Sequence, residues 1–267
     1  MGSRKSFGEY FKFMEHYIVV DLEMCNVLDK EVKKAFPYSS EIIQIGAVLL
    51  DENLDIVSEF SEYVKPKFGE LTKIIKKLTG ITEADLADAL PIEEVLPHFL
   101  DWMPEGDVIA ISWSMTDKFQ FMKELAFKQI EYGERFQKIL DTWVDCQPQF
   151  TEKMHMEHKN YSLKEALIAT DIWSEGRLHN GLVDAKNTAL LYAKMQREEE
   201  LVLNPYYKYA HEDHEEEHLT FSLSDALEKA LKDKELREQK AKERKEKGEN
   251  AGANPGKNFK KKKKKKK

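Results

Sequence analysis

The sequence predicts an α/β fold: a mixed five-stranded sheet flanked by helices, followed by a charged helical stretch and a disordered C-terminal tail. Three observations predict it. Three β-rich runs follow one another between Tyr17 and Val64. Beyond Pro66, strand-like runs alternate with helical patterns. Strands in succession suit an antiparallel meander, while strand–helix alternation puts helices on the faces of a mixed sheet. A length of 267 residues, 41% of them hydrophobic, allows one large domain with an ample core.

The elements follow in order. Tyr17 to Val20 is a β-branched and aromatic run, the composition of a buried strand, and it ends in Asp21-x-Glu23. Glu41 to Leu50 (EIIQIGAVLL) is a second strand and Ile56 to Val64 a third, joined by a hairpin turn at Asp51-Glu52-Asn53. Pro66 stops the third strand, and Leu71 to Leu78 is a short helix. Thr82, with Asp85 three residues on, reads as an N-cap. Pro91 opens a helix to about Met103, with Ile92, Val95, Leu96, Phe99 and Leu100 on one face. Asp107 to Ser112 is a fourth strand, Met115 to Tyr132 an amphipathic helix and Ile139-Leu-Asp141 a short fifth strand. Ser162 caps a helix to Thr170, with Glu165 completing a capping box, and Val183 to about Glu200 is a long helix.

Composition narrows the function classes. Cys25 and Cys146 are too few for a disulfide framework. There is neither a signal peptide nor an apolar run long enough to span a bilayer, so the expected compartment is reducing: cytoplasmic, or nuclear in a eukaryote. The start, Met1 to Ser6, fits a loose myristoylation pattern, but an ordinary disordered extension is the reading adopted. The net charge of −7 hides an asymmetry: residues 205–267 carry 19 Lys+Arg against 13 Asp+Glu, and residues 1–204 carry 23 against 36. An acidic body suits a polyanion binder only where bound metal offsets its charge. The expected organisation is an N-terminal extension (1–14), a globular domain (15–204), a charged helical extension (205–247) and a flexible polylysine tail (248–267).

The chemistry starts at Asp21-x-Glu23. Residues two apart on an extended chain project from one face, so both carboxylates point the same way. Such a pair repels, and burial adds to the cost. A divalent cation between them removes both penalties, and hard oxygen ligands suit Mg²⁺ or Mn²⁺. An exposed strand end gives the same pattern, so this motif decides nothing alone. Asp117 falls in the first turn of the helix after the fourth strand, where an aspartate also simply complements the helix dipole. Asp184 opens the last long helix and His179 lies five residues earlier, on the preceding loop. Separately these read as a cap and a surface histidine. Three carboxylate positions at element ends with a histidine beside the last form a constellation.

Taken in order, Asp21-x-Glu23, Asp117, then His179 with Asp184, the chain resembles the DEDDh 3′–5′ exonucleases, which have a ribonuclease H-like fold. The flanks agree: Glu41-Ile-Ile-Gln-Ile-Gly46, Leu78-Thr-Gly-Ile-Thr82, Tyr161-Ser-Leu163 and His179-x-Gly181-x-x-Asp184-Ala-x-Asn187. The resemblance covers roughly residues 15–200. Within the family the chain is most similar to the Eri-type RNA exonucleases, on the Leu-Thr-Gly-Ile-Thr and His-x-Gly-x-x-Asp-Ala segments. One departure is Trp113-Ser114, where Gly or Asn-like residues are expected before Asp117; it bears on substrate fit more than on chemistry.

The resemblance implies a two-metal phosphodiester hydrolase. Two Mg²⁺ ions, with Mn²⁺ as a substitute, would be held by Asp21, Glu23, Asp117 and Asp184, clamping the attacking and leaving oxygens. Asp21 would bridge both ions, Glu23 and Asp184 support one, and Asp117 the other. His179 would take the proton of the attacking water as general base. Leu22, Met24 and Cys25 are the candidate contacts to the terminal nucleotide. The expected substrate is a single-stranded 3′ end, RNA favoured over DNA, and the product a nucleoside 5′-monophosphate. The alternatives are a DNA 3′–5′ exonuclease for proofreading or repair, and a non-catalytic nucleic-acid-binding module. Five filled site positions disfavour the module.

Other residues read as structure first. His155 and His158 belong to a solvated connector, and Trp143 and Cys146 to the core. His211, His214 and His218 stand at helical spacing in an exposed charged segment that a transition metal would otherwise explain. Tyr206, Tyr207 and Tyr209 pack back on the domain, with base stacking the alternative. Lys260 to Lys267 are eight successive lysines, which attract phosphates of RNA or of another polyanion.

Overall fold

The computed structural model describes residues 16–35, 39–155, 160–174 and 176–207. The strands are β1 (His16–Val27), β2 (Ser40–Leu50), β3 (Ile56–Tyr63), β4 (Gly69–Glu70), β5 (Val108–Ser112) and β6 (Val144–Asp145). The helices among these residues are α1 (Lys30–Ala35), α2 (Lys73–Thr79), α3 (Ile92–Trp102), α4 (Thr116–Lys128), α5 (Gly133–Asp141), α6 (Cys146–Lys153), α7 (Leu163–Ala169) and α8 (Gly181–Arg197). Five strands run in the order β3-β2-β1-β5-β6, and β4 pairs with the far end of β1, making six where five were expected. β1 is antiparallel to β2 and parallel to β5. The sheet is mixed, with a ribonuclease H-like arrangement.

Alternation along β1 divides the core. Tyr17 and Val19 pack toward one apolar layer with α7 and α8, while Ile18, Val20 and Leu22 face a second layer with α3, α4 and α5. Asp21 and Glu23 continue the first set, so they face α8.

Several sequence-based boundaries shift. β1 does not end before Asp21; pairing with β2 continues to Asn26↔Ser40, with a register shift between Glu23 and Met24. The two carboxylates therefore stand within a strand. Ile139-Leu-Asp141 is the end of helix α5, not a strand. Phe136, Ile139 and Leu140 are all buried, and that i, i+3, i+4 spacing is a helical stripe. The fifth strand of the sheet comes three residues later, as Val144–Asp145 beside β5. The helix expected to reach Tyr132 stops at Lys128, where Gln129 turns left-handed at φ 55°. Thr82 caps no helix: its N–H and hydroxyl both donate to Asp85 within a turn segment. Pro91 is the N-cap of α3, one residue before the position expected. The capping box at Ser162 and Glu165 is present.

Trp143 and Cys146 are buried, as is Tyr207, whose ring lies 6.1 Å from that of Tyr161; Tyr206 is exposed. His155 is exposed in its connector. The N-terminal extension, His158, Tyr209, His211, His214, His218, the charged extension beyond Tyr207 and the polylysine run lie outside the described residues.

Candidate active site

The site forms where the middle of β1 meets the starts of α4 and α8. α8 is drawn against the sheet by an unusually close backbone contact. A Cβ on Gly46 of β2 would stand 2.0 Å from the Gly181 carbonyl carbon and 2.1 Å from the Leu182 nitrogen. Gly181 is constrained less severely, since a Cβ there would meet the Asp21 carbonyl oxygen at 3.0 Å. Gln44, paired directly across from Glu23, accepts the Gly181 N–H at 3.0 Å and donates to Ser61 Oγ at 3.1 Å. Asn180 caps the helix by accepting the Val183 N–H. These contacts put Asp184, in the first turn, beside β1.

The loop before α8 brings in His179. Its backbone is left-handed, at φ 64°, and its N–H donates to Asp184 Oδ2 at 2.8 Å. Ligand atoms of Glu23, His179 and Asp184 all lie within 4.8 Å of one another. Asp117 arrives from the opposite side: its Oδ1 accepts the Leu22 N–H at 2.9 Å, tying the first turn of α4 to β1 between the two strand carboxylates. The structure thus gathers Asp21, Glu23, Asp117, Asp184 and His179.

Electrostatics reflects the crowding. Burial, then the charges of Asp117, Asp184 and Glu23, raise the Asp21 carboxyl well above the usual range. Burial and the neighbouring Asp184 and Asp117 push Glu23 up to about 8. Asp117 rises to about 7 chiefly through burial, against the pull of the Leu22 N–H, and Asp184 to about 6 for the same reason, against the pull of the His179 N–H. His179 is held below the usual histidine value by loss of hydration, with Arg177 and Lys164 acting in the same direction. Asp184 Oδ1 is buried and makes no hydrogen bond of ordinary geometry among the described residues, although the Asn187 amide also acts to lower this carboxyl. An orphaned carboxylate oxygen among mutually repelling carboxylates is a donor set of hard oxygens that divalent cations fit.

Of the three candidate substrate contacts, Leu22 is buried in the core and its N–H is already given to Asp117. Cys25 is fully buried, and a Cβ on Gly69 would lie 2.2 Å from its sulfur. Met24 is partly exposed. Trp113 does not line the site as an open residue: it is buried edge-on against Phe150, and its indole N–H donates to the Tyr161 carbonyl at 3.1 Å. Sequence reasoning missed two further groups. Asp145, which caps α6, lies near enough to Asp117 to raise its pKa. Gln44 was visible only as part of a motif, without its role at α8.

A family model described as Exonuclease (RNase_T) matches residues 18–192. The chain is 33% identical over 178 residues to ERI1 exoribonuclease 2 of Danio rerio, covering 58% of this chain and 31% of that one. It therefore spans about a third of the length of those relatives. It is 32% identical over 182 residues to DNA polymerase III subunit epsilon of Aquifex aeolicus, covering 68% and 81% of the two chains. In fold it is similar to the nuclease domain of 3′hExo, described as a DEDDh family member bound to rAMP, at TM-score 0.57 and 22% identity, covering 72% and 97%. With the family model matched from β1 through most of α8, the chain belongs to the RNase_T exonuclease family.

Proposed function

We propose that the chain is a metal-dependent 3′–5′ exonuclease that removes nucleoside 5′-monophosphates from single-stranded 3′ ends, RNA ahead of DNA. The observation that carries this reading is the convergence of Asp21, Glu23, Asp117 and Asp184 with His179 at their edge. The four carboxylates would hold two Mg²⁺ ions, with Mn²⁺ able to replace them. When bound, such ions offset charge on the phosphate oxygens and lower the pKa of the attacking water.

The residues of the chain do the rest. His179, kept neutral below its ordinary pKa, accepts the proton as a water oxygen bonds to phosphorus and the P–O3′ bond breaks. The products are a 5′-monophosphate and a strand one residue shorter with a free 3′-hydroxyl. Asp184 holds the His179 backbone through Oδ2 and leaves Oδ1 for a cation. Met24, partly exposed next to Glu23 on β1, is the proposed contact to the terminal nucleotide; Leu22 and Cys25 support β1 from the core.

RNA is favoured by the similarity to the ERI1 exoribonucleases. A DNA exonuclease is the second reading, favoured by the match that covers 81% of a polymerase epsilon subunit. Discrimination lies in how the pocket meets a 2′-hydroxyl. The deciding experiment digests matched RNA and DNA strands, single-stranded or recessed at the 3′ end, in Mg²⁺ and in Mn²⁺, with products resolved by size. Stepwise mononucleotide release, fastest on single-stranded RNA and absent in Asp21→Asn, is expected. Endonucleolytic fragments would contradict the proposal.

A further inference from the structure

Arg177 lies two residues before His179, and its guanidinium reaches the end of α2. Its Nη2 donates to the Lys77 carbonyl at 2.6 Å and to the Leu78 carbonyl at 3.3 Å. The last carbonyls of a helix have no partner within it, and a single guanidinium nitrogen carries two N–H groups that can serve two of them. Gly80 makes the seat. It is the left-handed C-cap of α2, at φ 80°, and a Cβ there would stand 2.5 Å from Arg177 Nη1 and 3.1 Å from its Cζ. A side chain at position 80 would displace the guanidinium, and only a residue tolerant of the left-handed region avoids added backbone strain there.

The tie has a consequence for the loop. His179 adopts a left-handed backbone, which a non-glycine residue keeps only where its surroundings hold it. On its C-terminal side the Asp184 carboxylate does so. On its N-terminal side the loop is fastened by Arg177. We propose that Arg177 is a positioning residue: seated over Gly80, it ties the His179 loop to the end of α2 and so sets where the imidazole stands. This links two stretches a hundred residues apart, Leu78-Thr-Gly-Ile-Thr82 and Gly176-Arg-Leu-His179, in one device. It rests on the reading of His179 as general base. The rival is an arginine that merely stabilises α2 or touches substrate phosphate.

The test measures steady-state hydrolysis by the full chain on a 5′-labelled single-stranded oligonucleotide in Mg²⁺, with His179→Ala as reference. Arg177→Ala is expected to lower kcat roughly 10- to 100-fold, the scale of an ångström-size misplacement, with KM within about threefold and the Mg²⁺ midpoint unchanged. Arg177→Lys recovers part of the loss, since an ammonium keeps N–H donors for the carbonyls but not the planar group seated over Gly80. Gly80→Asn keeps a residue tolerant of the left-handed region but fills the seat, so it reproduces the kcat loss. The double variant Arg177→Ala, Gly80→Asn is no worse than Arg177→Ala alone. Should Gly80→Asn fail to fold, the kcat and KM of the two Arg177 variants decide. A near wild-type kcat in Arg177→Ala overturns the tie while a dead His179→Ala upholds the base. Raised KM at unchanged kcat, or additive losses in the double variant, overturns it in favour of a substrate contact or separate effects. A wild-type kcat in His179→Ala overturns both readings.

Discussion

At the scale of single residues, the four carboxylates favour the protonated form in the folded, metal-free chain. Glu23 at about 8, Asp117 at about 7 and Asp184 at about 6 all stand above ordinary carboxylates, and Asp21 is raised as well. The folded state then binds more protons than the unfolded one between pH 4 and 8. Stability contributed by this cluster therefore falls as pH rises through that window. In chelator the melting temperature should be higher near pH 5.5 than near pH 8, and saturating Mg²⁺ should restore more at pH 8 because the ions replace protons. Asp21→Asn should flatten the dependence and raise stability in chelator while lowering turnover by at least ~10³-fold. A variant that keeps wild-type turnover would remove Asp21 from the metal assignment. His179 moves the other way, below its usual value of 6.5. His179→Ala should lower kcat roughly 10²–10⁴-fold with Mg²⁺ affinity intact, and remove the acidic limb of the rate profile expected from a histidine held below its usual value. A limb that survives the substitution assigns it to another group.

Among the elements, α8 carries the most functional weight, since its first turn supplies Asp184 and its lead-in loop His179. It reaches β1 only because Gly46 and Gly181 lack side chains. Gly46→Ala has backbone for a neighbour, not a side chain that can swing aside, so α8 must lift. The expected cost is about 1–3 kcal/mol or more by denaturant melts, with a further loss of at least about tenfold in kcat at temperatures where the variant stays folded. Equal stability and turnover in the two proteins would refute that packing account. The same contacts show what a sequence does and does not reveal. Asp21, Glu23, Asp117, His179 and Asp184 were legible only together, as carboxylates beside apolar runs with a histidine near the last, in the order of a known family. The long apolar periods of β2 and α8 were equally plain. What joins them was not visible: the Leu22 N–H to Asp117 bond spans 95 residues and the Gly181 N–H to Gln44 bond 137. Local pattern carries no such information. The Ile139 to Asp141 segment failed for a different reason, because two apolar residues and an aspartate fit either period until Phe136 is counted with them.

For the molecule as a whole, the outstanding feature is charge: 23 basic against 36 acidic residues in 1–204, and 19 against 13 in 205–267. An acidic body repels the polyanion it is proposed to cut, except where bound cations reverse the sign locally. We propose that the eight lysines from Lys260 to Lys267 oppose that repulsion by attracting the phosphates of the substrate. The proposed effect of the lysine run is on capture and not on bond breaking, since the reaction is assigned to the carboxylates and His179. For single strands each neutralised phosphate contributes about −0.7 to the slope of log K against log salt, so eight contacts set a ceiling of about −5 to −6. Truncation after Asn250 should therefore raise KM at low salt, flatten its salt dependence and leave kcat nearly unchanged. At high salt, where counterions already screen both proteins, the two KM values should converge. The measurement is KM against salt for the full and truncated chains on one RNA strand. A truncated enzyme with the wild-type KM and slope would exclude the tail from RNA capture and direct the search to another anionic partner for the lysine run.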